Sequence, residues 1–142
     1  MIRMMTAAGL SLAIMSVAFG QPEAHAQQEP GRNCSDPNSQ AEINMCAQAD
    51  LDAADKEMNA VYALAAEQLR EQDRNSADLG PQYVGAELLL VRSQAAWAAN
   101  RSDFCAAHGV LFYGGSMRPA VASSCLALLA RSRTEELRTF LE

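Results

Sequence analysis

Apolar residues recur at steps of three and four along most of the chain. The first stripe is Ala47, Leu51, Ala54, Met58, Val61, Ala65 and, slipped by one, Leu69, widened by Tyr62 and Leu64. That period predicts an amphipathic helix over Gln40–Gln72. Ser39 and Glu42 form a capping-box pattern at its start, and no Gly or Pro interrupts it. A polar segment ends in Gly80-Pro81, and Pro at a first helical position is well placed to open a second helix, Pro81–Ala107. The expected inward stripe of that helix is Val84, Leu88, Val91, Ala95, Ala98 and Cys105, with Ser102 between the last two. Gly85 falls inside it, and Gly109 beyond His108 is expected as the C′ residue. Val110–Arg118 reads as a loop. Pro119 then begins a third helix, Pro119–Thr139, whose stripe includes Val121, Cys125, Leu128, Leu129 and Leu137. No strand-like alternation is long enough to count. The expected fold class is all-α, an antiparallel three-helix bundle.

The first residues suggest export. Arg3 precedes an almost wholly apolar or small run, Thr6–Gly20, and Ala24-His25-Ala26 offers small residues at the −3 and −1 positions of a signal-peptidase site. The run is about 15 residues, short of the roughly 20 that a spanning helix needs. Residues 1–26 are therefore read as a signal peptide. Residues 27–38, with Pro30, Gly31 and Pro37, are read as an extended lead-in, and 39–142 as the helical domain. All four cysteines (Cys34, Cys46, Cys105, Cys125) follow the expected cleavage site. An even count behind an export signal implies two disulfides, which a domain this small gains from. Without a C-x-x-C pair, the four-cysteine metal reading is the lesser one. The predicted bundle brings all four to one pole. Local pairing (Cys34–Cys46, Cys105–Cys125) and crossed pairing both fit; local pairing is favoured, since it clamps the lead-in and staples the loop between the second and third helices.

The net charge of −6 argues against nucleic acid and against an anionic membrane surface as partners. It is also uneven. Glu42–Asp73 holds eight acids and two bases, whereas Arg74–Glu142 holds seven Arg and six acids. An acidic first helix, with Asp52 and Asp55 as candidate contacts, would steer a basic partner; otherwise it is a solvated helix face.

Catalytic chemistry is poorly represented. His108 is the sole histidine after residue 26, no Ser sits in a nucleophile elbow, and no phosphate loop, dinucleotide fingerprint or haem-attachment motif is present. Met45, Met58 and Met117 form no cluster, and Met58 belongs to the first stripe. The expectation is a binding protein with no enzymatic activity, no cofactor and no metal. Two groups of residues are candidates for contact. Trp97, the only Trp, has Arg101 one turn later, within reach of its ring face. The plainer reading has Trp97 plugging the bundle against the third helix and Arg101 bridging to an acid. Gly114, Gly115 and Ser116 form either a tight turn before a Pro-started helix or an exposed, disulfide-anchored loop that enters a partner's cleft.

The ordered set Cys34; Glu42, Asn44 and Cys46; Ala54-Asp55; Met58, Asn59 and Tyr62; Gln94, Trp97, Arg101, Asp103 and Cys105; Gly114-Gly115-Ser116; Cys125; and Arg131 through Leu137 resembles the LprI-type lysozyme inhibitor family. The resemblance covers nearly all of the chain after the signal segment. It implies an exported, periplasmic or secreted helical domain with two disulfides, whose partner is lysozyme or another peptidoglycan hydrolase. An immunity-type or envelope assembly protein binding a different partner is the alternative. Exposed apolar surface on so small a bundle leaves room for a homodimer.

Overall fold

The computed structural model describes residues 33–142. The expected signal peptide, and the lead-in as far as Arg32, lie outside the described residues. Three helices follow, α1 (Gln40–Ser76), α2 (Ala86–Val110) and α3 (Arg118–Arg138), with two 3-10 turns, Ala77–Leu79 and Pro81–Tyr83, between α1 and α2. Among the described residues there is no strand. No described helix is long and apolar enough to cross a membrane.

α1 starts where the capping pattern placed it. Ser39 is extended, its Oγ accepts from the Glu42 N–H at 3.2 Å, and Glu42 Oε2 accepts from the Asn38 N–H at 2.6 Å. The two bonds satisfy N–H groups near the end of the helix that have no partner within it. The helix runs for 37 residues, about 55 Å at 1.5 Å per residue, and continues about one turn past the expected end at Gln72. Leu51, Ala54, Met58, Ala65 and Leu69 are buried as expected, with Val61 and Tyr62 packed at the margin, whereas Leu64 faces outward.

Pro81 opens a 3-10 turn and not the second helix. The chain then extends at Val84 and turns through Gly85, whose φ of +106° suits a residue without Cβ, so that Gly85 is the N-cap of α2. The inward face of α2 also differs from the expected stripe. Leu90, Cys105 and Gly109 are buried, with Gln94, Trp97 and Arg101 partly buried between them, while Val84, Leu88, Val91, Ala95 and Ala98 are exposed. Apolar residues surround α2 on every side, so their spacing alone does not select a face. The inward face is the one whose polar members, Gln94 and Arg101, find partners on α1 and α3, and buried polar groups require such partners. Gly109 is the last buried residue inside α2, not a C′ residue.

α3 buries mainly small side chains, Ala120, Ser123, Ala127 and Ala130, followed by Thr134 and Leu137; Leu128 points to solvent, against expectation. Small side chains let α3 approach α1 closely, and this pair forms the most extensive contact in the molecule. Contacts place the helices in register. Asp73 meets Gly85, Met58 meets Gln94 and Asp55 meets Arg101 between α1 and α2, in opposite chain order. Asn44 meets Ser116, Gln48 meets Ser123 and Glu57 meets Arg138 on the way from α1 to α3, in the same chain order.

Candidate protein-binding site

The cysteines pair locally. Cys34–Cys46 holds the lead-in against the first turns of α1, and Cys105–Cys125 joins α2 to α3, each with Cα atoms 5.6 Å apart. The second disulfide closes the segment containing residues 110–117, and that segment is wound into successive turns. Tyr113 N–H donates to Val110 O, Gly115 N–H to Phe112 O and Arg118 N–H to Gly115 O, at 3.0–3.2 Å. Gly114 has φ +76°, a left-handed conformation that a side chain disfavours. From outside the loop, Asn44 Nδ2 of α1 donates to Ser116 O at 3.0 Å. Held in this way, the loop presents apolar side chains to water. Leu111 is 79% and Tyr113 86% exposed, with Val110, Phe112 and Met117 also open. The sequence pattern singled out the two glycines and Ser116. The aromatic and aliphatic residues before them are the larger feature, and their run Val110–Tyr113 in a segment bounded by Gly109 and Gly114 was the available signal. His108, just before the loop, is exposed and packs its ring 4.8 Å from that of Phe104.

The second candidate group lies along α1 and α2. Asp55, Asn59, Tyr62, Gln94, Trp97 and Arg101 line an open groove of about 480 Å³. Arg101 Nε and Nη2 donate to Leu126 O of α3 at 3.1 and 2.9 Å, and Nη2 lies 2.6 Å from Asp55 Oδ1. Its guanidinium carbon stands 5.3 Å from the Trp97 ring centroid, and that of Arg133 stands 5.8 Å away. Arg133 is itself buried and donates to Gln94 Oε1, Ser93 Oγ and Glu136. Trp97 is thus a plug wedged between two arginines and the core, and Arg101 bridges α2 to an acid and to α3. Sequence reasoning did not foresee Arg133, because a basic residue among helical polar positions gives no sign of burial.

The charge asymmetry along the chain is largely absorbed by folding. Asp50 pairs with Arg131, Asp55 with Arg101, Glu57 with Arg138, and Glu67 with Arg70 and Arg74. Asp73 turns to α2, where Oδ1 accepts from the N–H groups of Gly85 and Ala86 and Oδ2 from that of Glu87, at 2.9–3.1 Å. Desolvation opposes ionisation of that carboxyl, but the three backbone donors outweigh it and hold its pKa below the ordinary value. Asp52 stays exposed and, among the described residues, accepts only from Gln48 Nε2, at 2.8 Å. The structure therefore brings Asp55, Trp97 and Arg101 into one cluster. It keeps Gly114–Ser116 in the separate loop at the disulfide pole and leaves Asp52 on the outer surface of α1. No group of His, Cys, Asp and Glu among the described residues is arranged to hold a metal ion.

Residues 32–137 match the sequence pattern of the lysozyme inhibitor LprI family. The chain belongs to that family. Family membership covers all three helices and both disulfides, and the name is that of an inhibitor family, not of a catalytic one. An uncharacterised protein of Rhizobium meliloti (strain 1021) is 40% identical over 119 residues, covering 84% of this chain and 85% of the relative. No solved structure matches the chain.

Proposed function

We propose that the protein is an exported inhibitor of lysozyme or a related peptidoglycan hydrolase, acting by lodging the 110–117 loop in the enzyme's cleft without a catalytic group of its own. The observation that carries this reading is the pairing of exposure with constraint in that loop. Leu111 and Tyr113 lie open to water on a segment tied down by Cys105–Cys125, by its own turns and by Asn44. An exposed apolar cluster is a mark of a protein contact, and a loop already fixed in shape loses little entropy on docking. Tyr is also among the residues that dominate binding at interface centres. The family supplies the target class. The net charge of −6 favours approach to a basic enzyme, although the arginine pairs leave the loop, more than α1, as the contact.

The compartment follows the same reading. A signal peptide at residues 1–26 and two disulfides suit a periplasmic or secreted protein. The pairing orders of the helices suit an antiparallel up-down-up bundle whose domain spans residues 39–142. The test is a lysis assay in which purified, oxidised protein is titrated against hen-type lysozyme on bacterial cell walls at low and moderate salt. Dose-dependent inhibition that is lost in Tyr113→Ala supports the reading. No inhibition at micromolar protein rejects that enzyme as the target, and inhibition that survives Tyr113→Ala and Leu111→Ala removes the loop from it.

A further inference from the structure

α2 carries more apolar surface than the bundle covers. Leu88 and Leu89 are 53% and 65% exposed, and Ala95, Ala96, Ala99, Ala106 and Ala107 are exposed on the same outward side. A helix that is apolar nearly all round is ordinarily buried nearly all round. The charges on that side make the face specific. Arg92 and Asp103 are both exposed, and neither belongs to an ion pair among the described residues. They stand 11 positions apart, about three turns and roughly 16 Å along one helix face.

We propose that this outer face of α2 is the interface of a homodimer in which two copies pack α2 against α2 in antiparallel fashion. A two-fold axis passes between Ala96 and Ala99. Arg92 of each copy then faces Asp103 of the other, giving two symmetric ion pairs. The same register sets Ala96 against Ala99 at the crossing, where short side chains let the helices approach, and sets Leu88 and Leu89 against Ala107 and Ala106. The face is its own complement in charge and in size, large against small. A second copy satisfies all of these pairings at once, whereas an unrelated partner has no need of a face symmetric about its own midpoint. The 110–117 loop follows α2 directly, so an antiparallel pair places the two loops at opposite ends of the dimer, both free. The proposal stands independently of the inhibitor reading, and its test has a separate readout.

The test is sedimentation equilibrium of the oxidised protein from about 1 to 300 µM, with circular dichroism and thermal unfolding as checks on folding. Wild type is expected to show a reversible monomer–dimer equilibrium in the micromolar range, as suits an interface near the small end of specific contacts. Arg92→Glu alone and Asp103→Arg alone each oppose like charges at both pairs, and each is expected to weaken dimerisation at least tenfold while folding as wild type does. Mixed in equal amounts, the two variants restore both pairs and are expected to form a heterodimer. A wild type that stays monomeric at 300 µM, single variants that dimerise as tightly as wild type, or a mixture that does not associate would each overturn the proposal.

Discussion

Arg101 Nη2 lies 2.6 Å from Asp55 Oδ1, and the same guanidinium holds the Leu126 carbonyl, so one side chain ties α2 to both of the other helices. Its N–H groups point at the carbonyl, which leaves the buried Asp55 Oδ1 with charge attraction and no hydrogen bond. Arg101 is 11% exposed and Asp55 35%, so neither partner is fully compensated by water when the other is removed. Asp55→Asn is expected to destabilise the protein by about 2–3 kcal/mol, below the cost for a fully buried pair because Asp55 is partly solvated. Arg101→Met combined with Asp55→Asn should cost less than the sum of the single changes by about 1 kcal/mol or more. Urea unfolding with both disulfides intact measures the cycle, and additive effects would show that the pair is not coupled.

Asp73 is the N-terminal cap of a helix to which it does not belong. Its folded pKa is depressed, so the stability it confers is present above the ordinary Asp range and is lost as pH falls through the folded value. Wild type should therefore exceed Asp73→Asn in stability at pH 7, and the gap should narrow as the pH is lowered below about 4. Denaturation curves of both proteins at neutral and acid pH read this out; a gap independent of pH would assign the effect to something other than the carboxylate.

The loop prediction separates binding from folding. Tyr113 is exposed and touches little of the bundle, so Tyr113→Ala is expected to leave the thermal midpoint within a degree or two while reducing lysozyme inhibition about tenfold or more. Gly114→Val, which forces a β-branched side chain into φ +76°, should reduce inhibition by changing the loop's shape. The lysis assay and a melting curve on the same preparations provide the comparison.

Cys105–Cys125 closes a stretch with a sequence separation of 20. Replacing both cysteines by Ser is expected to cost about 3 kcal/mol through the restored freedom of the unfolded chain. It should also weaken inhibition, since the loop loses one of its anchors. Chemical denaturation and the lysis assay test the two effects separately.

Gly109 offers a change in the other direction. It is helical and buried, yet a Cβ built there meets Ala122 Cβ at 3.6 Å and Arg118 Cγ at 3.7 Å, which is ordinary contact. Gly109→Ala should stabilise the protein by up to about 1 kcal/mol through helix propensity. A lower melting temperature would mean that α2 and α3 cannot yield the space.

The sequence by itself determined that there are three helices, where α1 begins and which face of it is buried, and it favoured the local cysteine pairs while crossed pairs also fitted. Each of these depends on short-range rules. Ser39 and Glu42 cap within one turn, the α1 stripe has strongly polar positions on its other side, and each disulfide joins cysteines close along the chain. Tertiary structure decided which face of α2 is buried, because apolar residues on both sides made its periodicity ambiguous and the choice fell to partners for Gln94 and Arg101. It also decided where the acids of α1 go, since Arg101, Arg131 and Arg138 are distant in sequence and meet them only when the helices pack. The start of α2 shows the same division. Pro81 is a sound local signal for a helix, but the helix begins only at Ala86, where Gly85 can turn the chain and Asp73, from another helix, can accept its free N–H groups.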